Sequence, residues 1–96
     1  MLIDIKGVHF SVPDDIKEVI EAKMHKIDFA RDKIVEINFT LTQQPHGYVL
    51  EVHVHFRWGK VAHLHVEDHN LRPGIDKLFG KLKEKVAKEK EIIQEY

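Results

Sequence analysis

The amino-acid sequence predicts an α+β domain of order β-α-β-β-β-α, a four-stranded mixed sheet with two helices packed on one face and the other face open to solvent. Three observations predict it. Residues 34 to 42, 48 to 57 and 61 to 67 alternate apolar and polar side chains, the mark of strands with one wet face. Around residues 16 to 27 and 75 to 86 the apolar positions recur at helical spacing instead. Short turns separate the last three strands, which should pair antiparallel. A helix of about fourteen residues separates the first two, which should pair parallel through a crossover.

In chain order, residues 2 to 6 alternate around Ile3 and Ile5 and make a short strand that Gly7 breaks. Ser11-Val-Pro13-Asp14-Asp15 reads as a helix start, with Ser11 or an aspartate as cap and acids in the first turn. Ile16, Val19, Ile20, Met24 and Ile27 form its buried stripe, and the helix should end near Phe29. On the second strand Val35, Ile37, Phe39 and Leu41 point inward, and Glu36, Asn38, Thr40 and Thr42 outward. Gln43 to Gly47 turn the chain. Leu50, Val52, Val54 and Phe56 face inward on the third strand, and Ala62, Leu64 and Val66 on the fourth. Between them Trp58-Gly59-Lys60 reads as a three-residue turn. Trp58 either stands out as a contact residue or folds back onto the sheet, the second being preferred. Asn70 caps the last helix, Pro73 lies early enough to be tolerated, and Ile75, Leu78, Phe79, Leu82 and Val86 are its buried face. This helix should extend toward Ile93.

Ninety-six residues without internal repeat or linker make a single domain, 1-96. There is no cysteine, which excludes disulfides and thiolate metal sites. The first residues lack the basic and apolar segments of a signal peptide, and no stretch approaches the ~20 apolar residues of a membrane span. A cytoplasmic protein with no membrane partner is therefore expected; its oligomeric state is left open. The net charge of −1 is unlike that of most nucleic-acid binders, but it is unevenly spread. Residues 77 to 90 hold six lysines against Glu84 and Glu89, a local charge of +4.

At 100° per residue, Lys77, Lys81, Lys85 and Lys88 fall within about 80° of one another on one flank of the last helix. Lys23 and Lys26 are i,i+3 neighbours on the first helix. If the helices pack side by side, the two groups should border a common groove. Such a surface either is simply solvated, with lysines paired to Glu84, Glu89 or Glu91, or binds phosphates in a sequence-independent, salt-sensitive way.

Eight histidines are a high count for this length. His53 and His55, and His63 and His65, sit as H-x-H pairs on the polar face of their strands. A turn at Trp58 to Lys60 sets Arg57 opposite Val61, His55 opposite His63 and His53 opposite His65. Opposed side chains lie about 5 Å apart at Cβ, within reach of one shared metal ion. A tolerated half-polar sheet face, with no more than adventitious zinc or nickel binding, is the plainer reading; no cofactor is otherwise expected. No phosphate loop, activated nucleophile or convergent acid pair is visible, so no enzyme is expected.

The β-α-β-β-β-α order then meets specific residues. Ile3-Asp-Ile-Lys-Gly-Val-His-Phe-Ser-Val-Pro13, the helix Ile16 through Lys26, and Gln44-Pro-His-Gly-Tyr-Val49 resemble the ribosome hibernation-promoting factor family, also called the protein Y or sigma-54 modulation family. So do Glu67-Asp-His-Asn-Leu-Arg-Pro-Gly-Ile-Asp76 and Lys77-Leu-Phe-Gly-Lys-Leu82. The resemblance covers nearly the whole chain. It implies a translation inhibitor that binds small-subunit rRNA near the decoding region, overlapping the paths of mRNA and tRNA, with no DNA partner. By position, Lys23, Lys26, Lys81, Lys88 and Lys90 match places that are usually basic in that family, and Lys77 and Lys85 extend the same surface. Glu84 stands where the family commonly has arginine, and Ala87 where it often has a basic residue. Ending at Tyr96, the chain resembles the short type, which lacks the further domain that pairs ribosomes. The competing readings are a histidine-rich metal-binding module and a protein-interaction module.

Overall fold

Strands whose alternate residues are Val, Ile, Leu and Phe form a sheet that must hide one face. The computed structural model describes residues 1–94, with side chains through residue 91. Its elements are β1 (Leu2–Val8), α1 (Asp14–Lys23), a 3₁₀ segment (Met24–Lys33), β2 (Ile34–Gln44), β3 (Gly47–Phe56), β4 (Val61–Asp68) and α2 (Leu71–Gln94). The sheet order is β1-β2-β3-β4, with β1 parallel to β2 and the other neighbours antiparallel. The α+β architecture is the expected one.

The core lies between the sheet and the helices. Ile37, Phe39, Leu41, Leu50, Val52, Val54 and Phe56 from the sheet meet Ile16, Ile20, Ile75, Leu78, Phe79, Leu82 and Val86. At its centre the Phe39 and Phe79 rings stack at 5.5 Å. Each such side chain contributes about 1.5–3 kcal/mol through its removal from water. Trp58 folds back and stacks on Phe56 at 4.9 Å, as preferred above.

Several local expectations are corrected. Gly7 does not end β1, which runs to Val8. Ser11 is not a cap: α1 begins at Asp14, and the carbonyl of Pro13, in extended backbone, accepts the first hydrogen bonds from Ile16 and Lys17. The α-helix stops at Lys23 rather than near Phe29. Beyond it the buried residues Met24, Ile27 and Ala30 recur every third position, which suits three residues per turn. Val35 is exposed and Ile34 buried, because the β2–β3 register shifts between Ile34 and Glu36 and flips Val35 outward. At the start of α2 the Asn70 carbonyl accepts from Gly74 at 3.2 Å, which bears out the helix start there.

Two hairpins set the sheet's register. Pro45 and His46 link β2 to β3, with Gln44 opposite Gly47. Gly47 has φ +149°, and a Cβ there would come within 2.7 Å of the Asp68 carbonyl oxygen. Between β3 and β4 the loop is Arg57-Trp58-Gly59. The Gly59 N–H donates to the Phe56 carbonyl (3.0 Å) and the Phe56 N–H to the Lys60 carbonyl (2.9 Å), with Gly59 at φ +86°. This is a type I turn followed by a left-handed glycine. It starts one residue earlier than the Trp58–Lys60 turn expected from sequence.

The second hairpin is tied to α2 by a buried carboxylate. Glu89 is only 2% exposed, and its Oε1 accepts from Lys60 Nζ at 2.6 Å and lies 3.2 Å from Lys85 Nζ. The Lys60 hydrogen bond, helped by Lys85, holds the Glu89 carboxyl below the usual glutamate range despite its burial. A lowered native pKa stabilises the fold at pH values above the unfolded pKa, and that stability is lost as the pH falls toward the native one.

Two outcomes test this description. Gly47→Ala is expected to cost roughly 1–3 kcal/mol in urea unfolding, from strained backbone and the close Asp68 carbonyl. Glu89→Gln is expected to cost about 1 kcal/mol at neutral pH, a value discounted for the half-exposed lysines. That difference should shrink as thermal unfolding is repeated at pH values below the ordinary glutamate range.

Candidate nucleic-acid interface

Positive charge gathers on α2 because its sequence places lysines at three- and four-residue steps outside the apolar stripe. The structure resolves them into two flanks. On one flank α2 lies against β4, an edge strand whose outward carbonyls have no strand partner. Lys81 Nζ donates to the His65 carbonyl at 3.3 Å. Lys77 Nζ pairs with Asp68 Oδ2 at 2.7 Å. That hydrogen bond, with a second from the Asn70 N–H, lowers the Asp68 pKa. Lys85 is engaged by Glu89. Lys88 is exposed and has no carboxylate partner among the described residues.

Between β4 and α2 an open groove is lined by His65, Glu67, Lys77, Gly80, Lys81 and Glu84. It continues along Leu64, Lys85 and Lys88. Nothing stands within 4 Å of where a Cβ on Gly80 would project, so the groove is wide at that point. Lys81 and Glu84 border both stretches; Glu84 is the acidic residue on the α2 side of the groove, and Glu67 on the β4 side.

The opposite flank of α2 faces α1 and the 3₁₀ segment. Lys23 Nζ is bonded to Asp76 Oδ1, which lowers the Asp76 pKa. Lys26 sits close enough to add a weaker electrostatic effect on the same carboxylate. Lys90 Nζ donates to the Phe29 carbonyl at 3.0 Å and lies 5.5 Å from the centroid of the Phe29 ring. Lys23 and Lys26 therefore do not share a groove with Lys77, Lys81, Lys85 and Lys88. The body of α2 separates the two groups, because its buried stripe is flanked by lysines on both sides. Lys83, not singled out from the sequence, is exposed on this second flank: Asp76, Lys83 and Lys90 are seven residues apart and share one helix face. That heptad spacing was the signal available for it.

On the far side of the sheet, His53, His55, His63 and His65 are all exposed, as the alternation predicted. Their pairing is not as expected. His53 faces His63, Glu51 faces His65 and His55 faces Val61. The earlier start of the Arg57-Trp58-Gly59 loop moves β4 by two residues against β3 and causes the difference. Among the described residues, no three ligating side chains converge on a common point.

Residues 3–94 match the family model described as sigma 54 modulation protein / S30EA ribosomal protein. A solved ribosomal subunit interface protein from Coxiella burnetii superposes with TM-score 0.86 and 23% identity, over 94% of this chain and 98% of that one. The Thermus thermophilus Protein Y N-terminal domain superposes with TM-score 0.78 and 23% identity, over 90% of this chain and 96% of that one. No curated protein sequence matches. At that identity the two structures speak for the fold, which agrees with the β-α-β-β-β-α order and mixed sheet described above. The family model spans almost every described residue, and the chain belongs to the sigma 54 modulation protein / S30EA ribosomal protein family.

Proposed function

We propose that this protein binds the small ribosomal subunit through its rRNA near the decoding region. There it overlaps the paths of mRNA and tRNA and holds idle ribosomes silent. It does so by occupancy, with no chemical step of its own. Family membership over residues 3–94 is the observation that carries this reading. The description of the Coxiella burnetii relative as a ribosomal subunit interface protein agrees with it. A ribosome partner also implies a cytoplasmic protein. Among the described residues, no helix is long and apolar enough to cross a membrane.

The rRNA contact is assigned to lysines on both flanks of α2. On the β4 flank Lys81 and Lys88 project charge that no carboxylate neutralises among the described residues. Lys77 and Lys85 add to the field while held by Asp68 and Glu89. On the other flank Lys23 is held by Asp76 and Lys90 is turned to the Phe29 carbonyl, while Lys26 and the exposed Lys83 add to the field. Contacts of this kind go to phosphates and weaken steeply as salt rises.

Co-sedimentation with purified small subunits at low and moderate salt tests the reading. The wild-type protein should pellet with subunits at low salt and be released as salt rises. Failure to pellet at low salt refutes the function. Lys81→Glu with Lys88→Glu should weaken binding by roughly tenfold or more, since each reversed charge replaces a phosphate contact by repulsion. Unchanged binding in that variant removes the β4 flank from the proposed surface. Conversely, Glu84→Arg should tighten binding several-fold in the same assay, because it removes the acidic residue from the α2 side of the groove.

A further inference from the structure

The open face of the sheet carries a cluster that lies outside the proposed rRNA surface. His53 and His63 are directly opposed across β3 and β4. Antiparallel pairs alternate between hydrogen-bonded and non-hydrogen-bonded along the ladder. Phe56 bonds to Lys60 at the hairpin end, so three steps along, His53–His63 is a non-hydrogen-bonded pair. That kind brings Cα atoms to about 4.5 Å and side chains closest together. The two rings lie 4.4 Å apart between centroids and 24° from parallel. Both side chains are exposed, so no core contact fixes their rotamers.

More donors surround the pair. Glu51 Oε1 is 3.5 Å from His63 Nε2, the diagonal neighbour across the two strands. His65 stands opposite Glu51, its ring 6.2 Å from that of His63. From β2, Asn38 and Thr40 lie beside His53 and Glu51 on the same face. Three imidazoles and one carboxylate are the ligand types of zinc, nickel and copper, not of magnesium or calcium, which take oxygen alone.

We infer that His53 and His63 together chelate one divalent transition-metal ion on the open sheet face. Glu51 or His65 supplies a third ligand by side-chain rotation, and water completes the coordination. The site is bidentate in its fixed part, which agrees with the lack of any preformed three-ligand group among the described residues. His55 takes no part, because the His63 ring stacks on His53 with its Nε2 toward Glu51, the diagonal neighbour on the opposite side from His55. The site stands on cross-strand geometry alone and is independent of the ribosome reading.

Calorimetric titration of the full chain with nickel chloride or zinc chloride tests it. Binding should saturate at one ion per chain. His53→Ala and His63→Ala should each weaken it by roughly tenfold or more, while His55→Ala leaves it unchanged. All three positions are exposed, so circular dichroism should show the same folded spectrum for every variant. Non-saturating uptake overturns the site. So does wild-type affinity in both His53→Ala and His63→Ala, or an equal loss in His55→Ala.

Discussion

The apolar inner face of β2, β3 and β4 can be buried only from one side, and α2 is the element that covers most of it. Phe79 against Phe39, with Leu78, Leu82 and Val86 around them, fixes the helix over the sheet. The orientation of every other surface follows from that contact. Once the stripe from Ile75 to Val86 points down, the lysines on either side of it must line the two flanks of α2. Once the inner face is closed, the outer face must carry the polar half of each alternation, including four histidines and their neighbouring carboxylates.

The flanks differ because their neighbours differ. One meets the edge strand β4, whose outward backbone groups need either a partner or protection. Lys81 on the His65 carbonyl gives both a bond and a charge that discourages pairing with another strand. The other flank meets α1 and the 3₁₀ segment, where Asp76 takes up Lys23. Cationic charge is thus spread over both sides: carboxylates hold Lys77 and Lys85 along the β4 groove and leave Lys81 and Lys88 unpaired among the described residues, while Asp76 holds Lys23 on the other flank and leaves Lys83 exposed. Glu89 enforces the arrangement from beneath: it is buried, ionised and bonded to Lys60 of the β3–β4 turn, so the C-terminal half of α2 and the hairpin end hold each other in place.

A small change in turn geometry decides the chemistry of the open face. Beginning the loop at Arg57 rather than Trp58, with Gly59 in left-handed backbone, leaves every β4 residue on its expected face but moves its partner by two positions. Inward residues stay inward, so the core is indifferent to the shift. The histidines are not: His53 gains His63, and His55 loses a histidine partner to Val61.

The order of elements, their antiparallel or parallel pairing, the buried stripe of α2 and the exposure of the H-x-H pairs were all legible in the sequence, because each depends on residues close together in the chain. Periodicity of two or 3.6 is a local property, and burial enforces it. The motifs from Ile3 to Leu82 likewise carried the family. What the tertiary structure alone decided is relational. The 3₁₀ continuation after Lys23, the outward turn of Val35 and the start of α1 at Asp14 depend on how neighbouring elements seat against one another. The same holds for which lysines meet Asp68, Asp76 and Glu89, and for which histidine faces which. Those outcomes hinge on shifts of one or two residues in register or helix rotation, to which hydrophobic alternation is blind.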